Sequence, residues 1–210
     1  MPLPHPMPLL GEAPVIPVLT IESVGDAVPL AKALLAGGIK VIEVTLRTTP
    51  ALDAIAAIAR EVPDIVIGAG TVTKPADIEA AARSGAKYLV SPGTPPELAA
   101  ALASAALPAI PGCATATEAM ALAARGFTLL KFFPAEACGG IAWLSSVAAP
   151  LPDLRFCPTG GIDMKNAAAY LALRNVVAVG GSWVAPKDAI ARGDFAHITA
   201  LAREAAGLRR

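Results

Sequence analysis

The stretch DIVIGAGTVTKPADIEAAARSGAKYLVSPG, residues 64–93, contains one complete structural repeat. It opens with a short apolar run rich in β-branched residues, continues with an alanine-rich segment of helical spacing, and closes with a second apolar run. Gly85 stands between the helical segment and the second run, at a position where helices typically stop. A strand, a helix and a strand at this spacing predict two parallel strands joined by a right-handed crossover.

The same alternation continues along the chain and predicts the fold class. Two more segments of helical spacing are TPALDAIAAIAREV, residues 49–62, and TATEAMALAARGF, residues 115–127. Eight segments have the composition of strands: Val15–Thr20, Lys40–Leu46, Asp64–Val72, Ala86–Gly93, Leu107–Gly112, Phe127–Ala135, Leu154–Gly161 and Val176–Val184. Eight such units predict a single α/β domain over residues 1–210, a closed (β/α)8 TIM barrel with residues 1–14 as an irregular N-terminal extension. An open doubly wound sheet is the alternative, although the chain has no GxGxxG motif.

The composition argues against several classes of function. The chain carries 17 Lys and Arg against 17 Asp and Glu, so it lacks the basic excess expected of a nucleic-acid-binding protein. Prolines and a glycine interrupt the longest uncharged run, between Glu97 and Glu118, which argues against a membrane span. The proline-rich start lacks the basic region of a signal peptide. Cys113, Cys138 and Cys157 have neither metal nor redox spacing, so we expect free thiols in a reducing cytoplasm.

A lysine in the middle of a predicted strand is the first candidate for chemistry. In FTLLKFFPAEA, residues 127–137, four apolar side chains surround Lys131. Lysine is seldom fully buried without a partner, and one interpretation is a structural ion pair with Glu43. The other interpretation is a Schiff-base lysine, because an apolar setting beside a cation such as Arg47 favours the neutral amine, which attacks ketones and aldehydes.

Further polar residues stand at the ends of predicted strands, where barrel enzymes carry their active sites. Glu43 and Arg47 share one face of the second strand because side chains alternate, and a structural Glu–Arg pair at the rim is one interpretation. Schiff-base chemistry also needs a proton carrier, and Glu43 is the carboxylate predicted within a strand. Thr71 follows the glycines of GAGTV, which either let a ligand approach the backbone closely or simply ease the end of the strand.

Paired glycines follow the last two predicted strands, in CPTGG at residues 157–161 and VGGS at residues 179–182. In barrels of this kind a phosphate site is often built after strands seven and eight. No Lys or Arg lies in either turn, so we expect backbone N–H groups to bind an anion there, at close backbone approach. Simple tight turns into the next helices are the alternative interpretation.

These motifs together resemble those of bacterial 2-keto-3-deoxy-6-phosphogluconate (KDPG) aldolases and their 4-hydroxy-2-oxoglutarate aldolase relatives. The resemblance implies a class I aldolase on a (β/α)8 barrel, a homotrimer that needs no metal or cofactor. It implies cleavage of KDPG to pyruvate and glyceraldehyde 3-phosphate, a step of the Entner–Doudoroff pathway. The matching segments run in the family's order and spacing from about Val15 to the C-terminal helix: GGIKVIEVTLRT, IGAGTV, SPG, KFFPAEA, RFCPTGGI and GGSW.

By position, the resemblance also implies roles for individual residues. Lys131 corresponds to the Schiff-base lysine and Glu43 to the carboxylate that transfers protons. The substrate-binding positions are Arg47 and Thr71 for the pyruvate carboxylate, Pro92 and Phe133 for the walls of that pocket, Thr159 for the hydroxylated chain, and Gly160, Gly161, Gly181 and Ser182 for the phosphate.

The sequence departs from the family pattern at two places. Cys138 occupies a position where we expect a polar residue, often Asn, and it lies outside the proposed chemistry. The opening MPLPHPMPLL has fewer helix-forming residues than the family's N-terminal helix, so we expect the barrel floor to be capped differently.

Three other functions remain as alternatives. Two are aldol cleavages of related substrates, 4-hydroxy-2-oxoglutarate and the galactonate-derived epimer of KDPG, and the first of these has no phosphate for the glycine turns to bind. A non-catalytic barrel that binds a phosphorylated metabolite is an alternative of another class, but it has no need of Lys131 or Glu43. We therefore expect a small phosphorylated keto acid as the ligand, with neither nucleic acid nor membrane as a partner.

Overall fold

Residues 3–11 and 13–208 are described in a computed structural model of the chain. Strands and helices alternate along these residues. The strands are β1 (Val15–Leu19), β2 (Val41–Thr45), β3 (Val66–Gly70), β4 (Tyr88–Val90), β5 (Ala109–Ile110), β6 (Gly112–Cys113), β7 (Leu129–Phe132), β8 (Arg155–Pro158) and β9 (Val179–Gly181). The helices are α1 (Met7–Leu10), α2 (Val24–Ala36), α3 (Ala51–Glu61), α4 (Pro75–Arg83), α5 (Pro96–Ala103), α6 (Ala116–Ala123), α7 (Gly140–Val147), α8 (Ala167–Leu171), α9 (Lys187–Ala191) and α10 (Phe195–Ala206). Glu136–Cys138 forms a short 3₁₀ turn.

The strands form two parallel sheets. One sheet has six strands in the order β5-β4-β3-β2-β1-β9, and the other has three in the order β6-β7-β8. Pro111 separates β5 from β6 within one predicted strand, and the two halves pair with different neighbours, β4 and β7. Proline has no N–H to donate to a ladder, so an interruption at this residue is expected on physical grounds.

Single bridges connect the far edges of the two sheets. Phe156 on β8 pairs with Val176, and Thr159 after β8 pairs with Gly180 on β9. The backbone N–H of Phe156 also donates to the carbonyl of Asn175 at 2.7 Å. The predicted α/β class with parallel strands is therefore confirmed, and each of the eight predicted segments contains a strand. The hydrogen-bonded ladder that connects these strands is not continuous, because they form two sheets.

Alternate residues of each strand belong to different apolar clusters, as the period of two requires. Leu130 and Ile42 belong to the larger cluster, which lies between the strands and the helices. Leu129 and Val41, one residue earlier, belong to a second cluster contributed by several strands. We call this second set the inner cluster, and it consists of Leu10, Ile16, Val41, Tyr88, Val90, Ile110, Leu129, Cys157, Val177 and Ala178.

The N-terminal segment packs into the inner cluster through Leu10. Residues 1–14 were expected to be irregular, but Met7–Leu10 forms one helical turn, and Leu10 is 2% exposed within the inner cluster. The expectation was wrong at this turn because burial of an apolar side chain stabilises a helix that propensity alone does not favour. Residues 1, 2 and 12 of the predicted extension lie outside the described residues.

The C-terminal helix α10 packs against α2. Gly37, at the end of α2, lies directly against α10, with the Thr199 carbonyl oxygen 2.8 Å from where a Cβ on Gly37 would lie. That Cβ would also overlap the Cβ of Ala202. The absence of a side chain at Gly37 therefore determines how closely the two helices approach.

We expect Gly37→Ala to lower the free energy of unfolding by about 1–3 kcal/mol, since the added methyl group overpacks the α2–α10 contact. Urea unfolding followed by circular dichroism measures the change. Gly25→Ala in the same helix is the matched control, because a Cβ there has Ser23 Oγ as its nearest neighbour at an ordinary 3.5 Å. Equal stabilities of the two variants would contradict close packing at Gly37.

Candidate active site

A buried ion pair occupies the centre of the candidate site. Lys131 lies on β7 and Glu43 on β2, and the two side chains meet across the interior. The Lys131 Nζ atom is 3.1 Å from Glu43 Oε1 and 3.4 Å from Oε2, and the two residues are 3% and 4% exposed. The strand alternation that places Leu129 and Val41 in the inner cluster also directs Lys131 and Glu43 inward, one layer nearer the carboxyl ends of the strands.

The glycines of β3 make room for protein side chains. A Cβ on Gly70 would overlap the Glu43 carboxylate, and a Cβ on Gly68 would overlap the Tyr88 ring. Close approach of a ligand was one interpretation of these glycines from the sequence, but protein side chains fill the space beside Gly68 and Gly70. The period of two brings Gly68 and Gly70 to the inner face, where Tyr88 and Glu43 already fill the space.

Tyr88 and Cys157 surround the pair with groups that stay uncharged. The Tyr88 hydroxyl donates to the Ile42 carbonyl at 2.8 Å, and burial, reinforced by the Glu43 charge, raises the pKa of Tyr88 well above its usual value. Cys157 pairs in register with Lys131. Burial raises the pKa of its thiol to about 12, with the Lys131 charge opposing the change and the Glu43 charge adding to it. Tyr88 and Cys157 are thus neutral neighbours of the Lys131–Glu43 pair.

Arg47 lies above the pair and is held by a threonine. Its Nε donates to Thr71 Oγ1 at 3.0 Å, and Arg47 is exposed. Thr71 has a φ of 58°, a left-handed conformation that is uncommon for a threonine. The sequence predicted Arg47 as the cation beside Lys131, but the charged group in hydrogen-bond contact with the lysine is Glu43. Arg47 therefore presents its charge to the region beyond the pair.

A cavity of about 250 Å³ opens at the carboxyl ends of the strands. Phe133 is one of its walls, and the ring centroid of Phe133 is 5.4 Å from Lys131 Nζ, so the pair lies next to this cavity. Seven of the predicted site residues line it: Arg47, Phe133, Thr159, Gly160, Gly161, Gly181 and Ser182. Pro92 and Thr71 are not among the described residues that line it, and Thr71 connects to it through Arg47.

The glycine turns have a different steric role from the one the sequence predicted. A Cβ on Gly161 would lie 2.6 Å from Glu136 Cγ, and a Cβ on Gly181 would overlap the Trp183 ring. Both missing side chains therefore make space for protein groups, so substitution there does not report on ligand approach alone. The turn at Gly160 and Gly161 has positive φ angles of 101° and 78°. Consecutive residues of this kind orient backbone N–H groups in ways that can bind an anion.

Glu136 is fixed beneath this turn by backbone and side-chain contacts. Its N–H donates to the Gly160 carbonyl at 3.1 Å, and its carboxylate accepts a hydrogen bond from the hydroxyl of buried Tyr170. Burial, followed by this hydrogen bond and the Glu136 charge, raises the pKa of Tyr170 above its usual value. The loop after β7 and the loop after β8 are thereby joined.

Several residues of the site were not predicted from the sequence. The cavity is also lined by Val18, Thr20, Ile162 and Lys187. Lys187 follows Ser182 by five residues, outside the glycine turn, at the start of α9. That position is the signal in the sequence, because loops and helix starts after barrel strands contribute to active sites.

Across residues 3–11 and 13–208, no group of three or more His, Cys, Asp or Glu side chains could hold a metal ion. Cys113, Cys138 and Cys157 are free thiols. His5 bonds to Thr128 Oγ1 at 2.9 Å, and His197 lies in α10. None of the helices that the structure describes is both long and apolar enough to span a bilayer.

The geometry combines a primary amine, a carboxylate and an adjoining polar cavity. An amine in contact with a carboxylate can transfer a proton to it and become a nucleophile. The carboxylate can then return protons to a bound molecule. This arrangement fits covalent catalysis on a carbonyl compound whose distal part extends toward Thr159, Ser182 and Lys187.

Comparison with known proteins identifies related sequences and structures. A family model described as KDPG and KHG aldolase matches residues 8–201. The 2-dehydro-3-deoxy-phosphogluconate aldolase of Dickeya dadantii (strain 3937) is 50% identical over 197 residues, which are 94% of this chain and 92% of that protein.

Two solved structures are similar over nearly the whole chain. The KDPG aldolase of Legionella pneumophila, with pyruvate captured at low pH as a covalent carbinolamine intermediate, is 44% identical with a TM-score of 0.93, covering 95% of this chain and 97% of that one. The corresponding enzyme of Zymomonas mobilis ZM4, with 3-phosphoglycerate, is 44% identical with a TM-score of 0.91, covering 97% and 95%.

The buried pair leads to a prediction about stability. We expect Lys131→Met to lower the free energy of unfolding by about 3–5 kcal/mol, because it leaves the Glu43 carboxylate buried without its partner. The double variant Lys131→Met/Glu43→Met removes both charges at similar volume and should recover most of that loss. Urea unfolding of the parent and of both variants measures the difference. A double variant less stable than Lys131→Met alone would contradict the electrostatic explanation.

Proposed function

The chain belongs to the KDPG and KHG aldolase family, and from that premise we propose that it cleaves KDPG to pyruvate and glyceraldehyde 3-phosphate. It acts as a class I aldehyde-lyase, through a Schiff base on Lys131, with Glu43 as the proton carrier. The observation that carries the proposal is the contact of 3.1 Å between the Lys131 amine and the Glu43 carboxylate, buried beside a polar cavity.

The first half of the reaction forms the covalent intermediate. Glu43 takes a proton from the Lys131 ammonium, and the free amine attacks the C2 ketone of the substrate to form a carbinolamine. The protonated Glu43 then gives its proton to the C2 hydroxyl, which leaves as water. The product is an iminium ion between C2 and Lys131 Nζ, an electron sink that withdraws electrons from the neighbouring C3–C4 bond.

The second half breaks the carbon–carbon bond. Glu43 accepts the proton of the C4 hydroxyl, the C3–C4 bond breaks, and its electron pair flows into the iminium to leave an enamine. Glyceraldehyde 3-phosphate departs with the new C4 carbonyl. Glu43 returns the proton to C3, which becomes the methyl group, and water hydrolyses the resulting iminium to release pyruvate. One carboxylate within reach of both the nitrogen and the substrate carbons is sufficient for these transfers.

Arg47 and Thr71 bind the carboxylate of the pyruvate half in this proposal. The bond from Arg47 Nε to Thr71 Oγ1 fixes the guanidinium side-on, so its terminal NH₂ groups are available for a carboxylate. Phe133 and Pro92 form the apolar walls of the same pocket, and Phe133 is also a wall of the larger cavity. Thr159 is 6% exposed beside the cavity and contacts the hydroxylated chain.

The phosphate lies at the far end of the cavity, against the turns after β8 and β9. Gly160, Gly161 and Gly181 provide backbone N–H groups there, and Ser182 provides a hydroxyl. The support is their common position in the cavity wall, together with the consecutive positive φ angles of Gly160 and Gly161. The Zymomonas mobilis structure contains 3-phosphoglycerate, an acid of the same length as the expected aldehyde product.

KDPG is favoured over the alternative substrates by this end of the cavity. 4-Hydroxy-2-oxoglutarate uses the same Lys131 and Glu43 chemistry, and the family description covers both activities. Its distal carboxylate is attached directly to C4, so the molecule is shorter than KDPG and has no phosphate for the glycine turns to bind. Cleavage of the galactonate-derived epimer requires the same groups with the C4 hydroxyl reversed. The pathway that this proposal implies is the Entner–Doudoroff pathway.

We infer in addition a closed (β/α)8 barrel, a homotrimer and a cytoplasmic location. The bridges from Phe156 to Val176 and from Thr159 to Gly180 support closure, because they join the free edges of the two sheets. Three free thiols support a reducing compartment. Light scattering on the purified protein tests the trimer, and a measured mass of one or two chains would contradict it.

Pyruvate and sodium borohydride should together label Lys131 covalently. The amine condenses with the ketone, and hydride reduces the iminium to a stable secondary amine. Peptide mass mapping locates the adduct, with Lys131→Met and a reaction without borohydride as controls. Label on Lys87 or Lys165, or no label at all, would contradict the mechanism.

Glu43→Gln should slow both KDPG cleavage and the exchange of pyruvate methyl protons with D₂O by about 10²–10⁴-fold, the usual contribution of a general acid–base group. Both processes pass through the enamine and need the same carrier. Glu79→Gln, an exposed carboxylate on α4, is the matched control. Exchange at the parent rate in Glu43→Gln would assign proton transfer to another group.

A further inference from the structure

The charges around the cavity are unevenly distributed. Among the described residues that line it, Arg47 and Lys187 are the cationic ones, and none is a carboxylate. Arg47 is bonded to Thr71, at the end assigned to the substrate carboxylate. Lys187 lines the same cavity as Gly160, Gly161 and Ser182, and it begins the helix that follows Ser182.

The phosphate end otherwise offers neutral donors. Backbone N–H groups and the Ser182 hydroxyl can form hydrogen bonds with a phosphate, but they contribute no formal charge. A phosphate monoester carries about −1.5 to −2 charges at pH 7. The Glu136 carboxylate lies close behind Gly161, with its Cγ 2.6 Å from where a Cβ would lie, and it adds negative charge to this region. A cation is therefore needed for electrostatic complementarity.

Lys187 is held by a contact that is easily exchanged. Its Nζ lies 3.5 Å from Glu22 Oε1, and the two side chains are 73% and 69% exposed. An ion pair this exposed is worth about 0–1 kcal/mol. Asp188, the next residue, has its carboxylate 2.9 Å from Arg192 Nη1 and does not compete for Lys187. The four-carbon stem of lysine allows the ammonium to move from Glu22 into the cavity.

We propose that Lys187 is the charge partner of the substrate phosphate, and that Glu22 holds its ammonium at the rim until the phosphate displaces it. This proposal rests on the proposed function, since it names a residue that discriminates between substrates in the same site. Lys187 favours a substrate with a distal dianion over one that ends in a single carboxylate. Glu22 weakens the binding of both phosphorylated substrate and phosphorylated product, and so assists product release.

The first test compares two substrates in Lys187→Gln. The KM for KDPG should rise about fivefold, as expected for loss of one solvent-exposed charge-assisted hydrogen bond, with kcat nearly unchanged because such binding is equal in the ground and transition states. The KM for 4-hydroxy-2-oxoglutarate should change much less. Lys87→Gln is the matched control, because Lys87 is exposed before β4, at the opposite end of the strands.

The second test uses Glu22→Gln, which should change binding in the opposite direction. Removing the competing carboxylate should lower the KM for KDPG, and it should lower the inhibition constant of inorganic phosphate, the simplest probe of the subsite. Lys187→Gln should raise that inhibition constant. The salt dependence of kcat/KM for KDPG should be weaker in Lys187→Gln than in the parent, because one fewer charge is screened.

The outcomes separate this proposal from the function on which it rests. Unchanged KM for KDPG in Lys187→Gln, or equal changes for both substrates, overturns the role of Lys187. A rise in KM for KDPG in Glu22→Gln overturns the competition and assigns the ion pair a structural role. Borohydride trapping of pyruvate on Lys131 involves no phosphate, so its failure in the parent protein overturns the aldolase mechanism, whatever the variants of Lys187 show.

Discussion

A buried ion pair between Lys131 and Glu43 is the interaction on which the rest of the structure depends. Removing two charges from water costs several kcal/mol for each ion, and attraction across 3.1 Å offsets that cost only when the surroundings hold the two groups together. Those surroundings are specific. Gly70 leaves the space that the carboxylate occupies, and Tyr88 lies over Gly68 with its hydroxyl bonded to the Ile42 carbonyl.

The same pair explains why an aldolase would retain charges that stability alone disfavours. Apolar residues of the same volume would often serve the fold as well or better. The amine and the carboxylate are in contact before any substrate arrives, so proton exchange between them requires no rearrangement of the chain. The neighbours Tyr88 and Cys157, whose pKa values burial raises, stay neutral and leave Glu43 as the base nearest the amine. The fold thus maintains a costly arrangement that the reaction uses.

Much of the fold and the central pair could be predicted from the sequence, because both follow from short periodic patterns. Alternation along Val41–Thr45 and Leu129–Phe132 directs Glu43 and Lys131 inward wherever those strands lie. The break at Pro111 and the burial of Leu10 could not be predicted from local pattern. The first depends on which strands pair at Pro111, and the second on the contact of Leu10 with the inner cluster in the folded chain. Gly161 and Gly181 line the cavity, but their steric role could not be predicted, because Glu136 and Trp183 approach them only in the folded chain. Lys187 was overlooked for a similar reason, since its position relative to the cavity is set by the start of α9.

The division of the strands into two sheets has a mechanical consequence. Glu43 belongs to the six-stranded sheet and Lys131 to the three-stranded one, and the sheets join at Pro111 and at single bridges beside β9. The proton donor and its acceptor therefore stand on opposite sides of a seam. A shift of one sheet against the other changes the Nζ–Oε distance directly, whereas distances within each sheet are held by its own ladder. Substitutions along that seam thus act on the length of the path that a proton travels between Lys131 and Glu43.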